Sequence, residues 1–340
     1  MSTYRKHNAT VDLTTFDNCP AFLERYLHYR YVFTNISSGT VVELFTILRE
    51  FCQYIHYRNK IYVEPSTSDA HKDMDITQMD IQEACDLSQE DLERYLGFLE
   101  DKVKNSPNTI CKKLAYIRNF YLYLECNASD LNIHLPHGNP ARFVDGPQTS
   151  VNKTVLLTEN EIQMLAGGTT GENALRDRAI ILMLATTGMQ TSELISLDRG
   201  DIQGKNVRIL SPKRSRTVYM TEACRNAVTA YLRQTSEFQE PHYPLFLVIP
   251  TGKRLTARAI QLRIEKAAAV AKLTNKNVTA RMLRNTAAEM LYRSLGRNSE
   301  DVVRQYMGLT SKYSMRNILQ EPGVNEQILE GSALGQIGMK

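Results

Sequence analysis

The sequence predicts a mainly α-helical protein of two domains, the second of which also contains a small β-sheet. Apolar residues recur at helical spacing through about the first 130 residues. A stretch rich in Pro and Gly, "HLPHGNPARFVDGPQTSVNKT", then interrupts this periodicity. Beyond it, helical segments return together with two short alternating segments typical of a β-hairpin. A chain of 340 residues is long enough to give each domain its own core.

The first domain, predicted over residues 1–134, is a small helical bundle. The segment "SGTVVELFTILREFCQYI" carries a broad apolar face made of Val42, Leu44, Phe45, Ile47, Leu48, Phe51 and Ile55. "LSQEDLERYLGFLEDKV" opens with Ser88 followed by acidic residues, the usual start of a helix. A third helix, "SPNTICKKLAYIRNFYLYLEC", has apolar residues at inward positions and leaves Lys112, Lys113 and Arg118 available on its outer face.

Residues 135–154 are predicted to form an extended linker, followed by a second domain over residues 155–325 and a tail over residues 326–340. Thr158 caps the first helix of this domain, with Glu161 three residues on. A buried helix at 175–186 precedes the hairpin "NVRILSP…RTVYMT", which turns at 212–215. Further helices are predicted near 222–234 and over 257–272.

Basic residues are concentrated although the net charge is only +4. Residues 102–124 and 202–221 each carry five Lys or Arg and no acid, and residues 251–288 carry nine with Glu265 as the single acid. This distribution predicts one strongly positive side, as binding to a nucleic-acid backbone requires. A nucleic acid is therefore an expected partner.

Composition excludes several other classes of protein. A chain with 42% hydrophobic and 23% charged residues is globular. Neither a signal-peptide core nor an apolar run of about 20 residues occurs, so we expect a cytoplasmic protein with no membrane partner. Six scattered cysteines without a C-x-x-C pair predict no metal site. "GGTTGEN" lacks the Lys-Ser/Thr of a phosphate-binding loop, and no cofactor is expected.

The segment "LRDRAIILMLATTGMQTSELISLDRGDI" resembles the signature of the tyrosine recombinase family, also called phage integrases. "PLFLVIPTGKRLTARAIQLRIEKAAAVAKL" and "NVTARMLRNTAAEML" follow at the spacing of that family. The resemblance implies a two-domain tyrosine-recombinase architecture: a helical core-binding domain and a mostly helical catalytic-type domain. Scaffold positions are kept at Gly188, Glu193, Leu194, Leu197 and Asp201.

The resemblance also implies a chemistry, and this chain departs from it. Family members cut a phosphodiester with a tyrosine while two arginines, two histidines (or one and a tryptophan) and a lysine stabilise the transition state. Here the first arginine position is Gln190, and a neutral amide does not replace a guanidinium on a phosphate. The remaining positions correspond to Lys213 (with Arg214 or Arg216 as alternatives), Arg281 in place of histidine, the retained Arg284, Leu309 in place of histidine, and Ile318 in place of tyrosine.

The first hypothesis is a sequence-specific DNA-binding protein that has lost strand cleavage and acts as a repressor or regulator in a phage or mobile element. Arg258 and Gln261 are the predicted base readers, because their side chains suit the edges of bases in the major groove. In the first domain, Lys112, Lys113 and Arg118 are predicted either to read bases in the same way or to contact phosphates. Arg281 and Arg284 are predicted to hold a backbone phosphate, and Lys213, Arg214 and Arg216 are further predicted DNA contacts.

Two alternatives remain at this stage. The chain is an active recombinase if Tyr313, five residues after Gly308, serves as a displaced nucleophile. Otherwise it is a recombination accessory or inhibitor that acts through protein contacts. The tail "NEQILEGSALGQIGMK" contains enough apolar residues for a short docking helix, which would link copies of the chain or bind a regulatory protein or peptide.

Overall fold

The computed structural model describes residues 16–34, 36–149, 154–210, 215–249, 251–296 and 299–309. The chain divides into two compact units, residues 1–150 and 151–340, and the boundary falls inside the predicted linker. Most described residues are helical, and the sheets are short. The prediction of a mainly α fold is therefore confirmed.

The first unit is a helical bundle around one apolar core. Its helices are α1 Ala21–Phe33, α2 Ser38–Ile61, α3 Ile81–Cys85, α4 Gln89–Asp101, α5 Pro107–Cys126 and α6 Ala128–Leu131. Ser88 begins α4 as predicted, since its hydroxyl accepts from the amide of Asp91. Ser106 likewise caps α5, with Pro107 at the first helical position.

Two expectations for the first unit are corrected. Val42 is 44% exposed, because the buried face of α2 begins at Val41, one residue earlier. The segment predicted to be an extended linker is not free of apolar packing, since Ala141 and Val144 are buried in the core. The guanidinium of Arg118 donates to the carbonyls of these same two residues and holds the segment on α5.

The second unit surrounds a helix that is buried on nearly every side. Its helices are α7 Glu159–Gly167, α8 Ala174–Thr187, α9 Thr191–Ser196, α10 Glu222–Gln234, α11 Ala257–Val270, α12 Ala280–Leu295 and α13 Glu300–Met307. The central helix is α8, whose residues from Ala179 to Ala185 are all buried and which packs against α7, α10, α11 and α12. Thr158 and Glu161 form the predicted capping box at the start of α7.

The described part of the second unit also contains five short strands: β1 Ile202–Gln203, β2 Asn206–Ile209, β3 Arg216–Tyr219, β4 Leu247–Val248 and β5 Lys253–Arg254. The first three form an antiparallel sheet in the order β1-β2-β3, with Val207 opposite Val218. The predicted hairpin is confirmed, although most of its turn lies outside the described residues. β4 and β5 pair separately. No described helix is both long and apolar enough to cross a bilayer.

Candidate functional site

Three positions singled out by the sequence lie where four elements meet: the start of α9, strand β3, helix α12 and the last turn of α13. Glu193 lies at the centre of this cluster. The retained Arg284 and the hairpin residue Arg216 both face it. We call Glu193, Arg216 and Arg284 the arginine cluster.

Glu193 and Arg216 form a two-pronged ion pair. The Nη1 and Nη2 atoms of Arg216 lie 2.5 and 2.9 Å from the two carboxylate oxygens of Glu193. The Nε atom of Arg216 donates to the carbonyl of Tyr306, at 2.9 Å. Only 11% and 13% of the two side chains are exposed. Glu193 also accepts from the backbone amide of Gln190, at 2.7 Å. Arg216 is therefore engaged by the protein itself.

Arg284 is buried, and it donates to backbone carbonyls. Nη1 binds the carbonyl of Gly188 at the end of α8, and Nη2 binds that of Met307 at the end of α13, at 2.7 Å. Glu193 lies 4.0 Å away. Burial lowers the pKa of Arg284 to about 10, with Glu193 opposing this effect and Arg216 adding to it. The guanidinium joins the ends of two helices, where carbonyls lack helical partners.

Close glycine contacts fix this arrangement. Gly188 ends α8 in the left-handed region, at φ +63°, and a Cβ atom there would collide with the Sδ atom of Met307. Gly308 ends α13 at φ +68°, and a Cβ there would lie 2.6 Å from Nη1 of Arg216. The two glycines allow α13 to approach α8 and β3.

The other predicted cleavage positions are dispersed or apolar. The side chain of Gln190 is exposed, and its Oε1 accepts from the hydroxyl of Ser192, at 3.4 Å. Arg281 is exposed in the first turn of α12. Leu309 packs on a small apolar cluster between α12 and α13. Lys213, Arg214, Tyr313, Ile318 and the predicted tail lie outside the described residues.

Two tyrosines near the arginine cluster, Tyr292 and Tyr306, have structural contacts. Tyr292 is buried between α12 and α13. The hydroxyl of Tyr306 accepts from the amide of Tyr219, and burial raises the pKa of Tyr306. A raised pKa opposes formation of the phenolate, so Tyr306 is poorly suited to act as a nucleophile.

A positive surface runs along α11 and the start of α12. Arg258 and Lys266 are exposed on one face of α11, two helical turns apart, and Lys253 precedes them on β5. Together with Arg281, they pair with none of the described carboxylates. Lys253 and Lys266 were not singled out from the sequence, although both belong to the third basic stretch. We call Lys253, Arg258, Lys266 and Arg281 the basic surface.

Gln261 does not stand free on that surface. Its Nε2 donates to the carbonyl of Val278 and to Glu265, both at 3.1 Å. Its Oε1 accepts from the amide of Ala280, at 3.3 Å. These bonds join α11 to the first turn of α12, so the contacts of Gln261 favour a positioning role over the predicted reading of bases.

The sequence predicted that the basic residues of α5 lie on its outer face, but not all of them do. Lys113 is only 8% exposed, and its ammonium lies 2.8 Å from Glu50 on α2. Lys112 is exposed but pairs with Glu43, also on α2. Although residues 102–124 contain no acid, the neighbouring helix α2 supplies the carboxylates that pair with these lysines. The prediction that Lys113 is available on the outer face is wrong.

Among the described residues, no group of three His, Cys, Asp or Glu could hold a metal.

Comparison with known proteins identifies the family. A protein of Pseudomonas syringae pv. syringae (strain B728a), named tyrosine recombinase XerC, is 30% identical over 251 residues, which cover 71% of this chain and 81% of the relative. The chain belongs to the tyrosine recombinase family. Its residues 155–318 match the model described as the phage integrase family. Another tyrosine recombinase XerC, from Caldanaerobacter subterraneus subsp. tengcongensis, is 28% identical over 278 residues, covering 81% of this chain and 76% of the relative.

Solved tyrosine recombinases share the fold. A XerH site-specific recombinase bound to a palindromic difH substrate, in a post-cleavage complex, matches with a TM-score of 0.65 at 18% identity. The match covers 94% of this chain and 84% of that one. A lambda integrase dimer bound to a COC′ core site matches with a TM-score of 0.63 at 11% identity, covering 90% and 79%. The predicted two-domain tyrosine-recombinase architecture is confirmed.

Proposed function

We propose that this chain is a tyrosine-recombinase-fold protein that binds specific double-stranded DNA without cutting it and regulates transcription in a phage or other mobile element. The observation that carries the proposal is the arginine cluster. At the position where the family provides a phosphate-binding arginine stands the neutral Gln190. The nearest guanidiniums donate to Glu193 and to backbone carbonyls.

The chemistry of strand cleavage explains why these contacts matter. The transition state is stabilised by charged donors aimed at the phosphate oxygens, and removing one donor typically slows a reaction about 10²–10³-fold. Gln190 and Leu309 each remove one donor, and Arg281 replaces a histidine with a permanently charged side chain that cannot exchange a proton. A phosphate that recruited Arg216 would first have to displace Glu193. These features support binding without phosphoryl transfer.

The basic surface supports DNA as the partner. Its four side chains are exposed and unpaired among the described carboxylates, as contacts to phosphates require. The solved relatives described above are recombinases bound to DNA. Within this surface, Arg258 remains our proposed base reader, and Lys253, Lys266 and Arg281 are proposed backbone contacts.

Capture of genomic fragments tests the proposed role. Purified protein is incubated with sheared DNA of the source organism at about 150 mM salt, where nonspecific binding is weakened, and the retained fragments are sequenced. A recurring motif in promoter regions is the expected result. Enrichment at the ends of a mobile element would contradict the regulatory role.

A second candidate is an active recombinase, favoured by the names of the relatives. In that case Tyr313 is the proposed nucleophile. A covalent protein–DNA adduct that disappears in Tyr313→Phe would establish this alternative and would overturn the first proposal.

We also propose that copies of the chain associate through residues 326–340. Deletion of those residues should abolish this association.

A further inference from the structure

The exposed side of α4 combines an unexplained glycine with unpaired acidic residues. Glu93, Gly97 and Glu100 occupy positions i, i+4 and i+7, so they share one face of the helix. Beside this face lies an open cleft of about 480 Å³ whose opposite wall is the segment Phe143–Pro147. A second open cleft adjoins the other side of Gly97, next to Glu64 and Pro65. We call this region the Gly97 groove.

Nothing within the unit requires a glycine at position 97. Glycine in the middle of a helix destabilises it relative to alanine, because glycine loses more backbone freedom on folding. Packing usually explains such a residue, yet a Cβ atom at Gly97 would meet nothing within 4 Å. Its backbone does not adopt a positive φ. A glycine at this position also permits the close approach of another backbone from outside the unit.

The charge of the groove selects the partner. Glu93, Glu100 and Asp145 are exposed along the first cleft, which is the acidic part of the groove. The second cleft also carries Arg94, which pairs with Glu90, and the exposed Lys102. None of the three carboxylates of the first cleft pairs with a described Lys or Arg, and Glu93 accepts only from the side chain of Gln89. Three carboxylates repel the phosphates of nucleic acid and attract Lys and Arg. The surface is therefore unsuited to the DNA that the second unit binds.

Apolar groups provide the contact area. Leu96 and Ile110 form part of the floor of the cleft. Phe143 is 76% exposed on its rim, in a segment that the buried Ala141 and Val144 fix to the core. An exposed aromatic ring on a fixed segment is a typical anchor for a protein partner.

We propose that the Gly97 groove binds a helical segment of a partner protein that carries two basic residues seven positions apart with a small residue between them. Glu93 and Glu100 are separated by about 10 Å along α4, given a rise of 1.5 Å per residue. Basic residues at i and i+7 of a crossing helix match this separation. The small residue then faces Gly97, so that the two backbones approach closely.

Selection from a peptide library tests the proposal on the full chain. Random peptides of about 16 residues, long enough to form a helix, are displayed on phage and selected on the immobilised protein. Enriched peptides are labelled, and their affinity is measured by fluorescence anisotropy. We expect Lys or Arg at the stated spacing and about tenfold weaker binding to Gly97→Leu and to the double variant Glu100→Lys/Asp145→Lys. The matched control Glu24→Lys, on the exposed face of α1, should bind like the wild type.

The variant Gly97→Ala separates a binding role from a structural one. It should raise the melting temperature, because alanine favours the helix, while weakening peptide binding. Equal affinity for the wild type and the groove variants would overturn the proposal, as would failure of the library to enrich any peptide. Self-association of the wild type that Gly97→Leu abolishes would show that a second copy occupies the groove, and would also overturn it.

Discussion

The carboxylate of Glu193 accepts three donors within 2.9 Å: both terminal nitrogens of Arg216 and the amide of Gln190. It therefore neutralises the guanidinium of Arg216. In total, the arginine cluster contains one negative charge and two positive charges. The positive charge that Glu193 does not pair with directly, on Arg284, is buried. At this scale, the polar contacts of Arg216 and Arg284 are made within the protein.

These internal contacts predict that substitution of Arg216 affects mainly stability, whereas substitution of Arg258 affects mainly DNA binding. Arg216→Gln removes one partner of a nearly buried ion pair and should lower the free energy of unfolding by about 3 kcal/mol. It should change DNA affinity little, since Arg216 is already neutralised. Arg258→Gln should leave stability within about 0.5 kcal/mol of the wild type. It should reduce the slope of log K against log salt by about 1.

Urea unfolding measures the stability of the two variants, and DNA titrations at several salt concentrations measure their DNA affinity and its salt dependence. A loss of DNA affinity in Arg216→Gln equal to that in Arg258→Gln would mean that Arg216 reaches the phosphate despite Glu193.

At the scale of elements, α13 is held by the ends of its neighbours. Arg284 links its last carbonyls to the end of α8, and Arg216 links them to β3. Gly188 permits this contact because a side chain there would occupy the space of Met307. The helix is only Glu300–Met307, so it depends on these contacts rather than on its own propensity.

Gly188→Ala should therefore be strongly destabilising, by about 1 kcal/mol for the left-handed backbone and by more for the collision. Met307→Ala alone should cost about 2–5 kcal/mol through the cavity that it leaves. The double variant should be less destabilised than the sum of the two, because the shorter side chain removes the collision. Urea unfolding of the three variants measures the coupling, and strict additivity would show that the two residues do not interact.

A second link between elements joins α2 to α4 and depends on pH. Burial alone would raise the pKa of Asp91, but hydrogen bonds from Arg58 and Ser88 outweigh it and lower the pKa to about 2. The unfolded carboxyl takes up its proton near the ordinary value of 3.8, before the folded one does. This contribution to stability is therefore fully present above about pH 4 and is lost as the pH falls toward 2.

Arg58→Met should lower the free energy of unfolding by about 1–3 kcal/mol above pH 4, and its difference from the wild type should shrink as the pH approaches 2. The exposed pair of Lys72 and Asp69 provides a control, since solvent screens such a pair and Lys72→Met should leave stability nearly unchanged at every pH. Thermal unfolding across this pH range makes the comparison. A difference for Arg58→Met that does not vary with pH would contradict the assignment.

At the scale of the whole molecule, local signals allowed the fold to be predicted. Capping residues such as Ser88 and Thr158 act within one turn, and helical periodicity identified α5 and α8, so the sequence contained what these elements need. Charges behave differently, because their partners come from distant segments. Glu50 is 63 residues from Lys113, and Glu193 is 23 residues from Arg216. Spacing along the chain does not encode such pairs, which is why the predicted exposure of Lys113 failed and why the engagement of Arg216 was missed.

The central claim, a recombinase fold that binds DNA without cutting it, is tested most directly by a nicked suicide duplex that carries the captured site. Cleavage of such a substrate traps the protein on DNA as an adduct that survives SDS. We expect binding to the duplex with no adduct, for the wild type and for Tyr313→Phe alike. An SDS-stable adduct in the wild type that is absent from Tyr313→Phe would contradict it and would make the chain an active recombinase.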